Sequence, residues 1–224
     1  MSLNLQPAEF IVAVKYRLGM PVFPREGRCM ACPVMSDVEG DHAISCGWGG
    51  ERITGHNALR DVLFSTCQQA ALAPLREDRA LLPGTEARPA DILLPHWTGG
   101  RDTALDITVV NPLQLAFVNQ SAIHPGHALR KAYERKMNKH GEPCREAGLV
   151  FFPLPVDTLG AWSETMVEQV KRMGSALARN KGEDDSDVIR HLSQRVAVVL
   201  ARLNASMLLN RAPQNTPANI DGIN

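Results

Sequence analysis

Four side chains near the N-terminus have the types and the spacing of a zinc site. Cys29 and Cys32 are separated by two residues, nine residues separate Cys32 from His42, and three separate His42 from Cys46. Each short gap lets one turn of the chain present two ligands to the same ion, and four such ligands complete a tetrahedral zinc shell. The alternative is three free cysteines and a surface histidine, but the spacing favours structural zinc.

Two aspartates lie in segments that otherwise have the apolar residues of buried strands. Asp91 ends the run Arg88-Pro89-Ala90-Asp91, and Asp106 lies within the segment 104–110. A hairpin with its turn centred on Thr98 and Gly99 would place the two carboxylates opposite each other, with Cβ atoms about 5 Å apart. Two carboxylates at this distance can hold a catalytic Mg²⁺. The alternative is that each acid caps a strand at the surface.

A lysine interrupts the apolar stripe of a later helix. In the helix predicted over 125–140, Leu129, Ala132 and Tyr133 share one face, and Lys136 falls in the middle of that face. Lysine is rarely buried without a partner. The Lys136 ammonium therefore either reaches back to solvent or points at the acidic pair, where it would polarise an attacked phosphate.

The region around this helix is basic. Between positions 121 and 145 there are six Lys or Arg residues and two Asp or Glu residues. Such an excess suits a surface that faces phosphates, although a solvated helix face would have a similar composition. Lys139 lies at the edge of the apolar stripe and is a second candidate for the catalytic lysine. The candidate nucleic-acid contacts are Arg88, Arg130, Lys131 and Arg135.

These side chains need a framework of helices and strands to position them. The periodicity predicts an α/β fold in which one helix precedes a mixed sheet. Helices are predicted over 7–18, 53–72, 125–140, 162–178 and 185–210, and strands over 74–82, 90–94, 104–110 and 149–156. We expect an N-terminal helix and zinc knuckle over 1–50, a core over 51–180, a C-terminal helix over 181–211 and a disordered tail over 212–224.

The composition limits the class of protein. The 224 residues carry 24 Lys or Arg and 24 Asp or Glu, so the net charge is zero and a general nucleic-acid coat protein is disfavoured. No apolar run is long enough for a membrane span, and the N-terminus does not have the pattern of a signal peptide. Five cysteines, three of them clustered, favour a reducing compartment and metal binding over disulfides. We therefore expect an intracellular protein with no membrane partner.

The order of these motifs resembles the C-terminal region of non-long-terminal-repeat retrotransposon polyproteins. In that family a Cys-Cys-His-Cys knuckle precedes a restriction-like endonuclease of the PD-(D/E)XK fold. The resemblance covers about positions 10 to 211. It depends on the knuckle ending at 40–46, His56-Asn57-Ala58-Leu59-Arg60-Asp61, Arg88-Pro89-Ala90-Asp91, the strand at 104–110, Lys136-x-x-Lys139 and Phe151-Phe152-Pro153.

The resemblance implies a role for each of these residues. Asp91 and Asp106 would bind Mg²⁺, and Lys136 or Lys139 would be the catalytic lysine, with Glu77 as a possible third acid. Two departures from the pattern stand out. Ala90 separates the proline from the aspartate, and Thr108 occupies the position where the fold usually has its lysine.

The resemblance also implies partners and a location. We expect a nuclear protein that nicks a DNA target site, with element RNA as a second ligand. A reverse-transcriptase domain, which this sequence does not contain, would belong to the parent element. The chain would then be a fragment, a solitary remnant or a separate reading frame. The rival function is a catalytically inactive nucleic-acid-binding remnant that keeps the fold and the zinc site.

Overall fold

A mixed four-stranded sheet forms the centre of the chain in a computed structural model, which describes residues 3–76, 81–82 and 88–213. The strands are β3 (Leu75–Arg76), β4 (Ile92–Thr98), β5 (Arg101–Val110) and β6 (Val150–Asp157), and they lie side by side in that order. β3 pairs with β4, and β4 with β5, in antiparallel orientation, whereas β5 and β6 are parallel. A separate two-stranded sheet is formed by β1 (Gly27–Arg28) and β2 (Met35–Ser36).

Helices occur on both sides of the sheet and at the N-terminus. Their bounds are α1 Pro7–Arg17, α2 Asp41–Ser45, α3 Glu51–Gln69, α4 Val118–Ile123, α5 His127–Lys136, a π-helical turn Met137–Gly141, α6 Glu142–Glu146, α7 Glu164–Lys181 and α8 Asp185–Asn210. Side-chain caps fix the start of the last two helices, because Ser163 accepts a hydrogen bond from the Met166 amide and Asp184 accepts one from the Asp187 amide. Among the described residues, every helix is too short or too polar to span a bilayer.

The alternation of side chains along β5 divides the interior into two layers. Leu105 and Ile107 point into the main core, which they share with α3, α7 and α8. Ala104 and Val110 point the other way, toward the helical segment His127–Glu146. Asp106 and Thr108 have the same parity as Ala104, so they lie on the face covered by α5. The sheet thus places both polar side chains under one helix.

A second, smaller core joins the N-terminal region to the end of the chain. Its buried members come from α1, from the segment around α2 and from the C-terminal half of α8: Val12, Tyr16, Phe23, Ala43, Ile44, Ala205, Met207 and Leu208. The cysteine- and histidine-rich segment is therefore packed against the long final helix.

The predicted helices and strands occur in the predicted order, but β1, β2, α2 and α4 were not predicted and several ends differ. The helix predicted over 125–140 begins at His127 and continues through the π-helical turn to Glu146, and α7 extends to Lys181, beyond its predicted end at 178. Of the strand predicted over 74–82, the described part forms only Leu75–Arg76. In the predicted tail, residues 214–224 lie outside the described part of the chain.

The β4–β5 hairpin has the predicted pairing near the acids but a different turn. Thr98 pairs with Arg101, so the turn lies at Gly99 and Gly100, one residue later than predicted. Both glycines have positive φ, at 59° and 75°, which glycine adopts without strain. The pairing register of the two strands shifts between Leu94 and Thr98, where His96 also has positive φ. Because of this shift, Ile92 still pairs with Leu105, as predicted.

Candidate metal centre and acidic cleft

The four predicted zinc ligands lie together. One ligand atom each from Cys29, Cys32, His42 and Cys46 falls within 4.8 Å of the other three, and Cys32 Sγ is 3.2 Å from His42 Nε2. A tetrahedral site with zinc–sulfur bonds of about 2.3 Å separates its ligand atoms by about 3.8 Å. The separations here, 3.2 Å for one pair and at most 4.8 Å for all four atoms, lie on either side of that value. Among the described residues this is the one group of three or more Cys, His, Asp or Glu with such geometry. The cluster could hold zinc.

Two short elements position these ligands. Cys29 and Cys32 lie in the turn between β1 and β2, and the Cys29 amide donates to the Val34 carbonyl across that turn. His42 lies in α2, and Cys46 immediately follows it. The Asp37 carboxylate accepts hydrogen bonds from the amides of Asp41 and His42, which fixes the first turn of α2.

Arg211 connects this cluster to the rest of the fold. Its side chain is fully buried, and Nη1 donates to the carbonyl oxygens of Ala43 and Cys46, both at 2.8 Å. Nη2 donates to the Trp48 carbonyl at 2.5 Å and to Glu51 Oε2 at 2.6 Å. One guanidinium thus holds the end of the zinc-ligand segment and the start of α3 against the end of α8. It also fixes where the first turns of α3 lie beside β5.

Purified protein is expected to contain about one zinc ion per chain, because four deprotonated soft ligands bind zinc strongly. Cys46→Ser should lower the zinc content and loosen the N-terminal segment, whereas Cys144→Ala, outside the cluster, should retain the metal. Elemental analysis and limited proteolysis measure the two effects. Folded protein without zinc would rule out the metal centre.

The two predicted acids lie at the same end of the β4–β5 hairpin, and both are buried. Asp91 immediately precedes β4, and its amide donates to the Leu105 carbonyl at 2.9 Å. The Asp91 amide thus bonds the residue beside Asp106, and the charge of Asp91 acts on the Asp106 carboxyl. Beyond this point β4 no longer covers β5, and a cleft opens along the free edge of β5.

Asp91 is held by two donors on one of its oxygens. Oδ2 accepts a hydrogen bond from the Ile107 amide at 2.6 Å and lies 3.1 Å from His56 Nε2. The same imidazole nitrogen is 3.0 Å from the Ile107 carbonyl oxygen. Because both neighbours of Nε2 are acceptors, Nε2 must carry the proton. The hydrogen bond to Asp91 raises the pKa of His56.

Asp106 is paired with Lys136, one of the two lysines that the sequence offers as candidates. Lys136 Nζ donates to Asp106 Oδ1 at 3.0 Å and lies 2.9 Å from Oδ2. Oδ2 nevertheless accepts no hydrogen bond from any described residue. The pKa of Asp106 is raised to about 6, mainly by burial and to a smaller extent by the nearby Asp91, although the charge of Lys136 lowers it.

Asp106→Asn is expected to raise the free energy of unfolding at neutral pH. The raised pKa means that the folded state favours the protonated acid, so the wild type loses stability as pH rises from about 4 to about 6. A rise from 3.8 to about 6 corresponds to about 3 kcal/mol. Urea unfolding at several pH values should show the variant's advantage growing over this range. The exposed control Glu168→Gln should show no such trend. If the gain in free energy of unfolding from Asp106→Asn did not change with pH, Asp106 would not have the raised pKa.

A cavity of about 420 Å³ adjoins the acids along the free edge of β5. Its walls come from the first turns of α3, the end of β5, the end of α5 and the middle of α8. His56 and Lys136, which contact the two acids, both line it. A molecule in this cavity would therefore touch the side chains that hold Asp91 and Asp106.

The other predicted site residues have different surroundings. Arg135 lines the cavity. Lys139 is exposed on the π-helical turn, so Lys136 is the one of the two lysines that contacts Asp106. Arg130 donates to the Pro125 carbonyl, and Lys131 pairs with Glu134 at 2.8 Å. Arg88 is exposed beside Pro89, and Glu77 lies outside the described residues.

His56 was not predicted as a site residue, although a signal was present in the sequence. It lies three positions before Leu59 and seven before Leu63, both of which are buried. It therefore belongs to the inward face of α3, where an imidazole needs a polar partner. Its partner is distant in sequence, and the helix pattern alone could not identify it.

The sequence predicts that Asp91 is a Mg²⁺ ligand, and on that prediction His56→Ala is expected to weaken Mg²⁺ binding about 10- to 100-fold, as loss of a residue that orients a metal ligand commonly does. His56→Gln should retain most of the affinity, because its amide N–H can still donate to Asp91. The concentration of Mg²⁺ that gives half-maximal thermal stabilisation measures both variants, with the exposed His191→Ala as control. Equal affinity in the wild type and the alanine variant would refute this role.

No protein-family model matches the sequence, and a search of curated proteins found no match.

Proposed function

We propose that this chain is a Mg²⁺-dependent DNA endonuclease of the restriction-like class, of the type that accompanies non-long-terminal-repeat retrotransposons. The observation that carries the proposal is the contact of Lys136 with the buried Asp106, one strand away from Asp91 and beside an open cleft. A nuclease of this class needs such a group of two acids and one lysine next to a surface that DNA can reach.

The order of the elements supports this class of fold. A helix (α3) is followed by three antiparallel strands, a helix (α5) and a strand parallel to the third one. The periodicity of the sequence predicted the same succession of helix, strands, helix and strand. The acids lie where the second and third strands separate, and the side chains that contact them, His56 and Lys136, line the cavity.

The donor set fits a hard divalent cation. Asp91 has one oxygen occupied by Ile107 and His56, which leaves its Oδ1 for a ligand role, and the buried Asp106 carboxylate has both oxygens within 3.0 Å of the Lys136 ammonium, whose charge an ion would replace. Mg²⁺ prefers carboxylate oxygens and water. When bound, it would lower the pKa of an attacking water and neutralise charge on the phosphate.

The chain's own residues would then bind and orient the phosphodiester. An ion at the acids would compensate the charge of Asp106, so the Lys136 ammonium would be free to donate to a phosphate oxygen instead. Arg135, one residue earlier and at the cavity, would bind a neighbouring phosphate. His56 would keep Asp91 in the orientation that offers a single oxygen to the ion.

One observation favours the inactive rival. Thr108 stands where this class of fold usually has its lysine, and the ion pair of Lys136 with Asp106 neutralises the acid without any metal. A remnant that binds nucleic acid but does not cut would keep this pair as a purely structural contact.

Conversion of supercoiled plasmid to the nicked form tests the proposal. Purified protein should nick in the presence of Mg²⁺ and should stop when EDTA is added in excess. Zinc content must be measured after the EDTA treatment, so that loss of the N-terminal metal is not mistaken for loss of Mg²⁺. Binding of DNA without nicking under Mg²⁺ or Mn²⁺ would favour the inactive remnant.

A further inference from the structure

We propose that the cavity beside Lys136 takes a single unpaired nucleotide of the DNA substrate, next to the phosphate that is cut. This proposal rests on the proposed nuclease function and names its class of substrate: DNA with a nucleotide that can leave the helix. The cavity is lined by α3, β5, α5 and α8, and two of its lining residues, His56 and Lys136, contact the acids directly. A nucleotide held there has its phosphate at the reacting centre.

The cavity contains a polar group that lacks a partner. Thr108 is more than nine-tenths buried and lines the cavity, yet its Oγ1 makes no hydrogen bond with any described residue. A buried hydroxyl without a partner is costly, so its presence indicates a ligand that completes it. Thr108 lies two positions after Asp106 on the same face of β5. Its hydroxyl is therefore placed to donate to an oxygen of the phosphate that Lys136 would contact.

The charge of the walls also fits a nucleotide. Arg52, Arg135 and Lys136 are cationic, whereas the one carboxylate among the lining residues, Glu51, is paired with Arg211 at 2.6 Å. The two cations at the end of α5, Arg135 and Lys136, make that part of the cavity suited to a phosphate.

The opposite wall is apolar. Leu203 and Met207 of α8, together with Ile44 near the zinc ligands, present hydrocarbon surface. Nucleobases bind by stacking and apolar contact when they leave the duplex. A nucleotide with its phosphate beside Lys136 and its base against the apolar residues of α8 would therefore fit both the cationic and the apolar wall.

The size of the cavity decides the substrate class. A volume of about 420 Å³ is that of a small-ligand site and cannot enclose base-paired DNA. A paired nucleotide would have to break its stacking and pairing before entering, whereas an unpaired one has already lost part of that free energy. The protein should therefore prefer DNA with a bulge, a gap or a frayed end.

Equilibrium binding with Ca²⁺ in place of Mg²⁺ tests this without depending on cleavage, because Ca²⁺ also binds carboxylate oxygens and would compensate the charge of Asp106. Two short labelled duplexes would be compared, identical except for one additional unpaired 2-aminopurine nucleotide in one strand. The wild type should bind the bulged duplex about tenfold or more tightly, since unstacking costs a few kcal/mol and 1.4 kcal/mol is a factor of ten. The 2-aminopurine emission should change on binding, because its base moves from the stack to the cavity.

Two variants test whether the cavity causes the preference. Leu203→Trp fills the apolar end of the cavity. It should bring the ratio of the affinities for the bulged and the paired duplex close to one, while affinity for the paired duplex stays the same. Thr108→Val removes the hydroxyl without adding bulk and should also lower the ratio, so it decides the question if Leu203→Trp does not fold. Leu115→Trp, at a fully exposed position outside the cavity, should leave the ratio unchanged.

The outcomes separate this proposal from the nuclease proposal. Nicking by a protein with equal affinity for both duplexes would overturn the nucleotide site and leave the nuclease standing. A second outcome is a protein that never nicks and still prefers the bulged duplex. If Leu203→Trp or Thr108→Val then removed this preference, the result would support the nucleotide site and refute the nuclease proposal. A preference that survives both variants would overturn the site.

Discussion

Asp91→Asn and Asp106→Asn are each expected to abolish Mg²⁺-dependent nicking. Each change removes one of the two carboxylates that would bind the ion, and a single remaining carboxylate holds Mg²⁺ poorly. Loss of one positioned group that stabilises developing charge commonly costs about 10²- to 10³-fold in rate. Loss of the ion itself should cost at least as much, so the activity should fall to the background of the assay.

Asparagine is the appropriate replacement because the two acids have different structural roles. Asp91 accepts the buried Ile107 amide, and an alanine there would leave that N–H without a partner. Asparagine keeps an acceptor at the same place. The matched control is Asp102→Asn, which removes a half-exposed carboxylate from the same strand, β5. Nicking by either Asp91→Asn or Asp106→Asn at the wild-type rate would disprove the proposed Mg²⁺ site.

Lys136→Ala is expected to reduce single-turnover cleavage about 10²-fold or more, with little change in DNA affinity. Its ammonium is within 3.0 Å of Asp106, so it is the cation nearest to a phosphate on an ion held there. Removal of one positioned charge affects the transition state more than the bound state. Rates measured at saturating protein isolate the chemical step.

Lys131→Ala is the matched control, because this lysine lies on the same helix and instead pairs with Glu134 on an exposed face. It should at most weaken DNA binding in a salt-dependent way. The double variant of Lys136 and Lys139 shows whether the second lysine substitutes for the first. Equal cleavage by the Lys131 variant and the double variant would refute the assigned role of Lys136.

Local patterns in the sequence were sufficient for most of the elements and for the grouping of the cysteines and the histidine that could hold zinc. The spacing of Cys29, Cys32, His42 and Cys46 predicts a shared site because all four lie within 18 residues, and two short turns bring them together. The inward position of Lys136 followed from helical periodicity, which depends only on neighbouring turns. The pairing around Asp106 followed from the two-residue period of the strands and the position of the glycine turn.

Only the tertiary structure decided how these pieces meet. The contact between His56 and Asp91 joins residues 35 apart, and the Arg211 contacts with the zinc segment join residues 163 to 168 apart. No local period encodes such contacts, because they depend on how α3 and α8 pack across the sheet. The same packing leaves the cavity between these helices and β5 and buries the Thr108 hydroxyl without a partner. The residue types and their spacing thus determined which side chains could do chemistry, whereas long-range packing decided which of them share a site.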